Sequence, residues 1–322
     1  MALPVSIDDV RAAAERIRPH AHRTPVLTCA ALDAMTGARL HFKCENLQKA
    51  GAFKFRGACN AVMALADAEA ARGVATHSSG NHAAALALAA RLRGIRAHVV
   101  MPRTARAIKK AAVAGYGAAV TECEPTLAAR EATLAAVVAQ TGATVIHPYN
   151  DPWVIAGQGT AALELLAEVD DLDLVLAPVG GGGLLSGTAV VAAALSPSTA
   201  VWGAEPAGAA DAQRSLVEGR IVPSVEPRTI ADGLLTSLGE NTFAILRALA
   251  AGIVTVSEEG IVAAMRHSWE RMKVLVEPSS AVPLAALLEH RLAVAGKRVG
   301  IIVSGGNVDL DALPWVAAGG RS

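Results

Sequence analysis

The chain reads as an α/β protein on a mostly parallel sheet, and three observations say so. Short apolar runs of strand length alternate with Ala- and Leu-rich helical stretches along the whole sequence. One such run passes through four consecutive glycines straight into a helical pattern. Hydrophobic residues make up 52% of the 322 and aromatics only 3%, so small aliphatic side chains must build the core. Parallel strands need crossover helices, which this alternation supplies. The length admits two domains or one large α/β unit.

The elements follow in order. Ser6, with Asp8 and Asp9 behind it, predicts a helix cap near the N-terminus rather than the apolar core and cleavage site of a secretion signal. Residues 73–76 predict a strand, followed by a polar turn and a helix over 83–93. Residues 97–101 predict a strand stopped by Pro102, and shorter runs follow at 118–121 and 144–147. The pattern continues with strands over 172–177, 200–204, 253–256 and 298–303. This order predicts a small, mobile domain over 67–150, inserted into a larger one made of 1–66 and 151–322, with a cleft between them. In open α/β sheets ligands sit beyond the carboxyl ends of the strands. The turns after residues 76, 177 and 303 are therefore expected to line one cleft.

Bulk properties narrow the function. Lys+Arg and Asp+Glu balance at 29 each, and no basic run is long enough to point to nucleic acid. The Ala-rich stretches are interrupted before they reach membrane-spanning length. Cys29, Cys44, Cys59 and Cys123 form no C-x-x-C pair and no zinc spacing. A cytoplasmic protein with reduced thiols and a small-molecule substrate is the expectation.

Two motifs carry chemistry. Gly180, Gly181, Gly182 and Gly183 lie between a strand and a helix, so backbone N–H groups can converge on an anion with no Cβ in the way. A P-loop would continue Gly-Lys-Ser/Thr, but Leu184 and Leu185 follow here. A dinucleotide fold would place an acid about 20 residues on, where Val201 and Trp202 stand. A phosphate other than that of ATP or NAD fits, and a plain tight connection is the alternative. The second motif is Lys54, flanked by Phe53 and Phe55. Partial desolvation disfavours a charged amine, and Arg56 nearby is expected to lower its basicity further. A neutral amine can attack a carbonyl and form a Schiff base, whereas a solvated surface lysine could not. Polar turns at 78–82 and 304–307 complete the set. Both could be helix caps, or could approach a charged ligand closely.

A phosphate cradle with a Schiff-base lysine is what pyridoxal phosphate requires. Residues 43–48 (KCENLQ) and 51–58 (GAFKFRGA), with 78–82, 147–148, 155–160, 180–183, 277–279 and 304–307 in order, resemble the fold-type II pyridoxal-phosphate enzymes, whose fold is tryptophan synthase β-like with two open sheets. More narrowly, the pattern is similar to serine/threonine dehydratases (ammonia-lyases) and serine racemase. The resemblance implies that Lys54 holds pyridoxal 5'-phosphate and that Gly180, Gly181, Gly182, Gly183 and Leu184 hold its phosphate. Asn81 would meet the ring hydroxyl, Phe53 and Gly233 the ring faces, and Ser304 the ring nitrogen; Glu277 belongs to the same cofactor set. Ser78, Ser79, Gly80, Asn81 and His82 would dock the substrate carboxylate, with Arg130 on the substrate side and Lys54 and Ser79 as the catalytic pair. Glu205, the Ala209 carbonyl and Asp211 match a Mg²⁺ or Mn²⁺ site.

By the same resemblance the reaction is β-elimination from a β-hydroxy amino acid such as L-threonine or L-serine, giving a 2-oxo acid and ammonia. The alternatives are an amino-acid racemase with side dehydratase activity, or a dehydratase for 3-hydroxyaspartate or phenylserine. A homodimer is implied. Departures from the family pattern fall at Ala52, Ala83, Ala84 and Tyr149, around the pocket for the substrate side chain. The chain ends soon after Trp315, so isoleucine feedback through an added domain is not expected.

Overall fold

The computed structural model describes residues 3–78, 80–105 and 107–316. Ser6 caps α1 (Ile7–Ile17), with the Asp9 carboxylate returning to the Ser6 N–H. Then come β1 (Val26–Leu27), α2 (Ala30–Thr36), β2 (Arg39–Cys44), α3 (Lys54–Ala64) and α4 (Asp67–Ala70). A βα series follows: β3 (Val74–His77), α5 (Asn81–Arg93), β4 (Ala97–Pro102), α6 (Ala107–Gly115), β5 (Ala119–Cys123), α7 (Leu127–Thr141) and β6 (Thr144–Val145). The remainder is α8 (Pro152–Glu168), β7 (Leu174–Pro178), α9 (Gly183–Leu195), β8 (Ala200–Pro206), α10 (Asp211–Glu218), α11 (Glu240–Leu249), β9 (Gly252–Val256), α12 (Glu258–His267), α13 (Pro278–Leu288) and β10 (Arg298–Val303).

Two sheets result. The six-stranded sheet has the order β1-β2-β10-β7-β8-β9 and is mixed, because β1 runs antiparallel to β2 while the other pairs are parallel. The four-stranded sheet, β5-β4-β3-β6, is wholly parallel. The central strand β7 is buried along its whole length, as a strand covered by helices on both faces must be.

The differences from the sequence reading have local causes. β1 and β2 were not predicted: two residues are too short to show a period, and RLHFKC has no continuous apolar run, its signal being the alternation of Leu40, Phe42 and Cys44 with polar residues. α5 begins two residues before the expected start, directly after Gly80. β6 stops at Val145: Ile146 donates one last bond to the Ala75 carbonyl, and the chain then turns at His147.

α3 links the two sheets. Phe55, Cys59 and Val62 join the core of the four-stranded sheet with Leu86, Val99 and Met101. The same helix packs against α8, which borders the six-stranded sheet. That approach needs glycine on both sides, since a Cβ at Gly157 would lie 2.6 Å from the Gly57 Cα. The six-stranded sheet has an apolar layer on each face, one around Phe42, Met265 and Leu284 and the other around Val175, Ala177 and Leu185. Lys54 stands at the N-terminus of α3, at the junction of these layers.

Candidate active site

The site assembles where three turns meet the start of α3. The segment before Lys54 is pinned to the turn after β10: Phe53 donates its N–H to the Ser304 carbonyl at 2.9 Å, and Ala52 bridges Gly305. Lys54 Nζ donates to the Pro148 carbonyl at 2.8 Å and lies 5.1 Å from the centre of the Phe53 ring. Burial pulls this amine down to about 8, against the nearby Glu277 carboxylate, which raises it. Arg56 is not the cause that the sequence suggested. Its guanidinium faces away, held by Glu45 at 2.6 Å and Glu164 at 2.8 Å.

Glu277 is buried beside this amine. It accepts the Asn81 side-chain amide at 2.8 and 3.1 Å, and burial pushes its carboxyl up to about 7. Asn81 Oδ1 in turn accepts from the Asn307 amide at 3.0 Å. The turns at 78–82 and 304–307 and the start of α13 are thereby tied together. The Ser304 hydroxyl makes no hydrogen bond among the described residues. Gly233 donates its N–H to Ser279 at 3.0 Å, and its carbonyl would lie 3.1 Å from a Cβ at Gly180.

The glycine turn opens α9. Gly182 occupies left-handed backbone space at φ +87°, where a side chain would be strained. The first intrahelical bond runs from Ser186 N–H to the Gly182 carbonyl, so the N–H groups of residues 182–185 have no partner within the helix. Tyr149 covers the turn. A Cβ at Gly181 would lie 2.2 Å from the Tyr149 ring, and one at Gly183 would lie 3.2 Å from the Tyr149 Cα. Leu184 is buried in the first turn of α9.

Ser78 ends the β3 turn, its hydroxyl accepting the Gly80 N–H at 3.4 Å. His82 is buried on α5, and its Nε2 bonds the Ile146 carbonyl at 3.2 Å. Ser79 lies outside the described residues. Arg130, on α7, lowers the basicity of His77 and has a buried Nε with no partner, and no hydrogen bond among the described residues joins it to Lys54 or Asn81. Glu205, near the end of β8, and Asp211, at the start of α10, lie close enough to interact. Both Glu205 oxygens accept backbone N–H groups, from Ala212 at 3.2 Å and Gln213 at 2.6 Å. Burial and the Asp211 charge push Glu205 up to about 8, burial pushes Asp211 up to about 6, and Asp211 Oδ2 is buried without a hydrogen bond. Ala209 is buried on the turn before α10. Among the described residues no group of three or more His, Cys, Asp and Glu side chains is arranged to hold a metal ion, and no helix is long and apolar enough to cross a membrane.

A buried, weakly basic amine, a helix N-terminus opened by glycines, and a serine hydroxyl with no hydrogen bond among the described residues fit the aldehyde, phosphate and ring nitrogen of one cofactor. The profile of the pyridoxal-phosphate dependent enzymes matches residues 17–305. The chain belongs to this family. A β-hydroxyaspartate dehydratase of Paracoccus denitrificans (strain Pd 1222) is 56% identical over 96% of this chain and 98% of its own length. The crystal structure of serine racemase from Dictyostelium discoideum superposes with a TM-score of 0.92 at 49% identity, over 95% of this chain and 100% of that one. The crystal structure of a T.th. threonine deaminase gives 0.90 at 49% identity, over 94% and 99%. Membership makes the chain a pyridoxal-phosphate enzyme of the fold the sequence predicted.

The family pattern included His147 and Pro148 but gave them no role; the structure shows that Pro148 holds Lys54 through its carbonyl. A main-chain acceptor leaves no mark on sequence. The pairing of buried Lys43, Glu45 and Arg56 with the half-buried Glu164 was also missed. Its only signal was charge inside otherwise apolar segments.

Proposed function

We propose that the protein removes water from an acidic β-hydroxy amino acid, 3-hydroxyaspartate, yielding oxaloacetate and ammonia. Water leaves first and re-enters when the released imine hydrolyses, so atoms balance. The buried Lys54 amine carries this reading. An amine near 8 is partly neutral at physiological pH and can accept the Cα proton. Pyridoxal phosphate, when bound, withdraws electrons from Cα and so acidifies that proton. The N-terminus of α5 at Asn81 and His82 would offer N–H groups to the substrate carboxylate. Gly180, Gly181, Gly182, Gly183 and Leu184 would hold the phosphate, Phe53 and Gly233 the ring faces, and Asn81, Glu277 and Ser304 the polar ring atoms. The Ser304 hydroxyl would donate to the ring nitrogen, and a neutral donor there would leave that nitrogen unprotonated.

The 56%-identical dehydratase and the Arg130 guanidinium, whose Nε has no partner and is fit for a second carboxylate, favour the acidic substrate over L-threonine or L-serine. Racemisation of serine is the second reading, supported by the similarity to serine racemase. A Mg²⁺ or Mn²⁺ ion at Glu205, Asp211 and the Ala209 carbonyl would relieve two buried carboxylates and complete the free Asp211 oxygen. Four free cysteines fit a reducing, cytoplasmic setting. The resemblance adds a homodimer, which sedimentation would test.

Purified holoenzyme is offered 3-hydroxyaspartate, L-serine and L-threonine, and 2-oxo acid, ammonia and D-enantiomer are scored. The highest kcat/KM is expected for 3-hydroxyaspartate. D-serine forming faster than any 2-oxo acid would overturn the lyase reading. Lys54→Ala is expected to lose the cofactor absorbance and all turnover.

A further inference from the structure

We infer that His147 is a positioning residue for Lys54, its unprotonated Nδ1 tying the turn that presents the Pro148 carbonyl to the lysine amine. The inference rests on Lys54 being the reactive amine. His147 follows the short strand β6, where the chain leaves the sheet. Its Nδ1 accepts two backbone N–H groups, from Tyr149 at 3.3 Å and Asn150 at 3.0 Å. A nitrogen that accepts carries no proton, so the ring is neutral with its hydrogen on Nε2. Pro148 lies inside the turn closed by these two bonds. Its carbonyl is the hydrogen-bond acceptor for Lys54 Nζ, at 2.8 Å. Proline has no N–H, so the turn depends on what its neighbours donate.

The same ring also steadies Tyr149. The two rings meet edge to face with centres 4.6 Å apart, and His77 packs against the other side of His147 at 6.5 Å. Tyr149 is the residue that covers Gly181 and Gly183. One imidazole therefore bears on both halves of the site, the amine through Pro148 and the glycine turn through Tyr149. The chain repeats this device four residues on. Asp151 Oδ1 accepts from Trp153 at 2.8 Å and Val154 at 3.1 Å, the same second and third residues onward. A short side-chain oxygen can thus do what the imidazole nitrogen does.

This separates acceptor from packing. His147→Phe keeps a ring against Tyr149 and His77 but accepts nothing, whereas His147→Asn loses the ring and keeps a local acceptor. Apo-protein is titrated with pyridoxal phosphate, following absorbance, borohydride-fixed adduct on Lys54 by mass spectrometry, and thermal melting. Loss of a buried acceptor predicts about tenfold weaker capture and about tenfold lower kcat in His147→Phe, with His147→Asn within about threefold of wild type. Wild-type behaviour in His147→Phe, or equal damage in both variants, would overturn the inference. Ring-nitrogen NMR of the unaltered protein gives a check that needs no variant. A neutral Nε2–H ring at pH 6 is expected, and a cationic ring at that pH would refute it. If Lys54→Ala still forms the adduct, the assignment of the amine fails first, and the role of His147 fails with it.

Discussion

Lys54 and Glu277 are opposed in sign and alike in cost, since each is buried toward its neutral form. The amine falls from 10.5 to about 8 in the fold, so the unfolded chain binds the extra proton between those values and apo-protein stability rises with pH across that window. Glu277 rises from 4.5 to about 7, so the folded state binds the extra proton there and stability falls as pH climbs between 4.5 and about 7. Only the neutral amine attacks an aldehyde. The rate at which apo-protein captures pyridoxal phosphate should therefore rise through about pH 8, read by stopped-flow absorbance. In Glu277→Gln that rise should move to lower pH, because the charge that holds a proton on Lys54 is gone. A limb left at the wild-type position would show that the carboxylate does not act on the amine. The sequence located Lys54 and pointed to burial as the cause of its low basicity, but the further lowering expected from Arg56 is not found: Arg56, two residues on, is paired with Glu45 and Glu164.

At the scale of elements, the decisive unit is α3 clamped to α8 and β2. Arg56 bonds both Glu45 and Glu164, and Lys43 bonds Glu164 at 2.6 Å and the Thr24 carbonyl at 2.6 Å. Two cations and two carboxylates balance, with Lys43, Glu45 and Arg56 buried and Glu164 at the edge, 22% exposed. Removing one partner leaves a charge uncompensated, so Glu45→Gln should cost about 3–5 kcal/mol by denaturant melting. A loss under about 1 kcal/mol would mean that the set relaxes freely. The pattern K-x-E at the end of a strand and K-x-R in a helix was legible as sequence, but its pairing with Glu164, more than a hundred residues away, was not. The start of α10 supplies a second test. Without a cation Glu205 takes up a proton below about pH 8, so stability falls as pH rises from 4.5 toward that value. Mg²⁺ should accordingly raise the melting temperature more at pH 8 than at pH 5, and an equal shift at both would place the ion elsewhere. The glycine turn ahead of α9 was legible as a turn, because φ +87° favours glycine, but the close approach of Tyr149 to it was not.

Across the whole molecule, Lys109 on α6 reaches Asp232 at 2.5 Å, the one ion pair among the described residues that joins the unit of the four-stranded sheet to the turn bearing Gly233. Lys109 also lowers the Glu277 carboxyl, so it faces the mouth of the site. The pair is partly exposed and worth about 0.2–1 kcal/mol. Lys109→Met should raise KM by about two- to fivefold with little change in melting temperature, and the wild-type KM should climb with salt while that of the variant stays flat. A salt response that survives the substitution would exclude a contribution from this pair.

Sequence by itself determined the α/β class, the order of the strands and helices from β3 onward, the glycine turn and the lysine, because these depend on local periodicity, on glycine backbone freedom and on a short run of residues. Only the tertiary structure decided what the lysine touches. The Pro148 carbonyl, the Glu277–Asn81–Asn307 chain and the clamp on Arg56 are contacts between segments far apart along the chain. Burial and hydrogen bonding across such distances are set by the packed fold, and burial is what holds down the basicity of the amine at position 54.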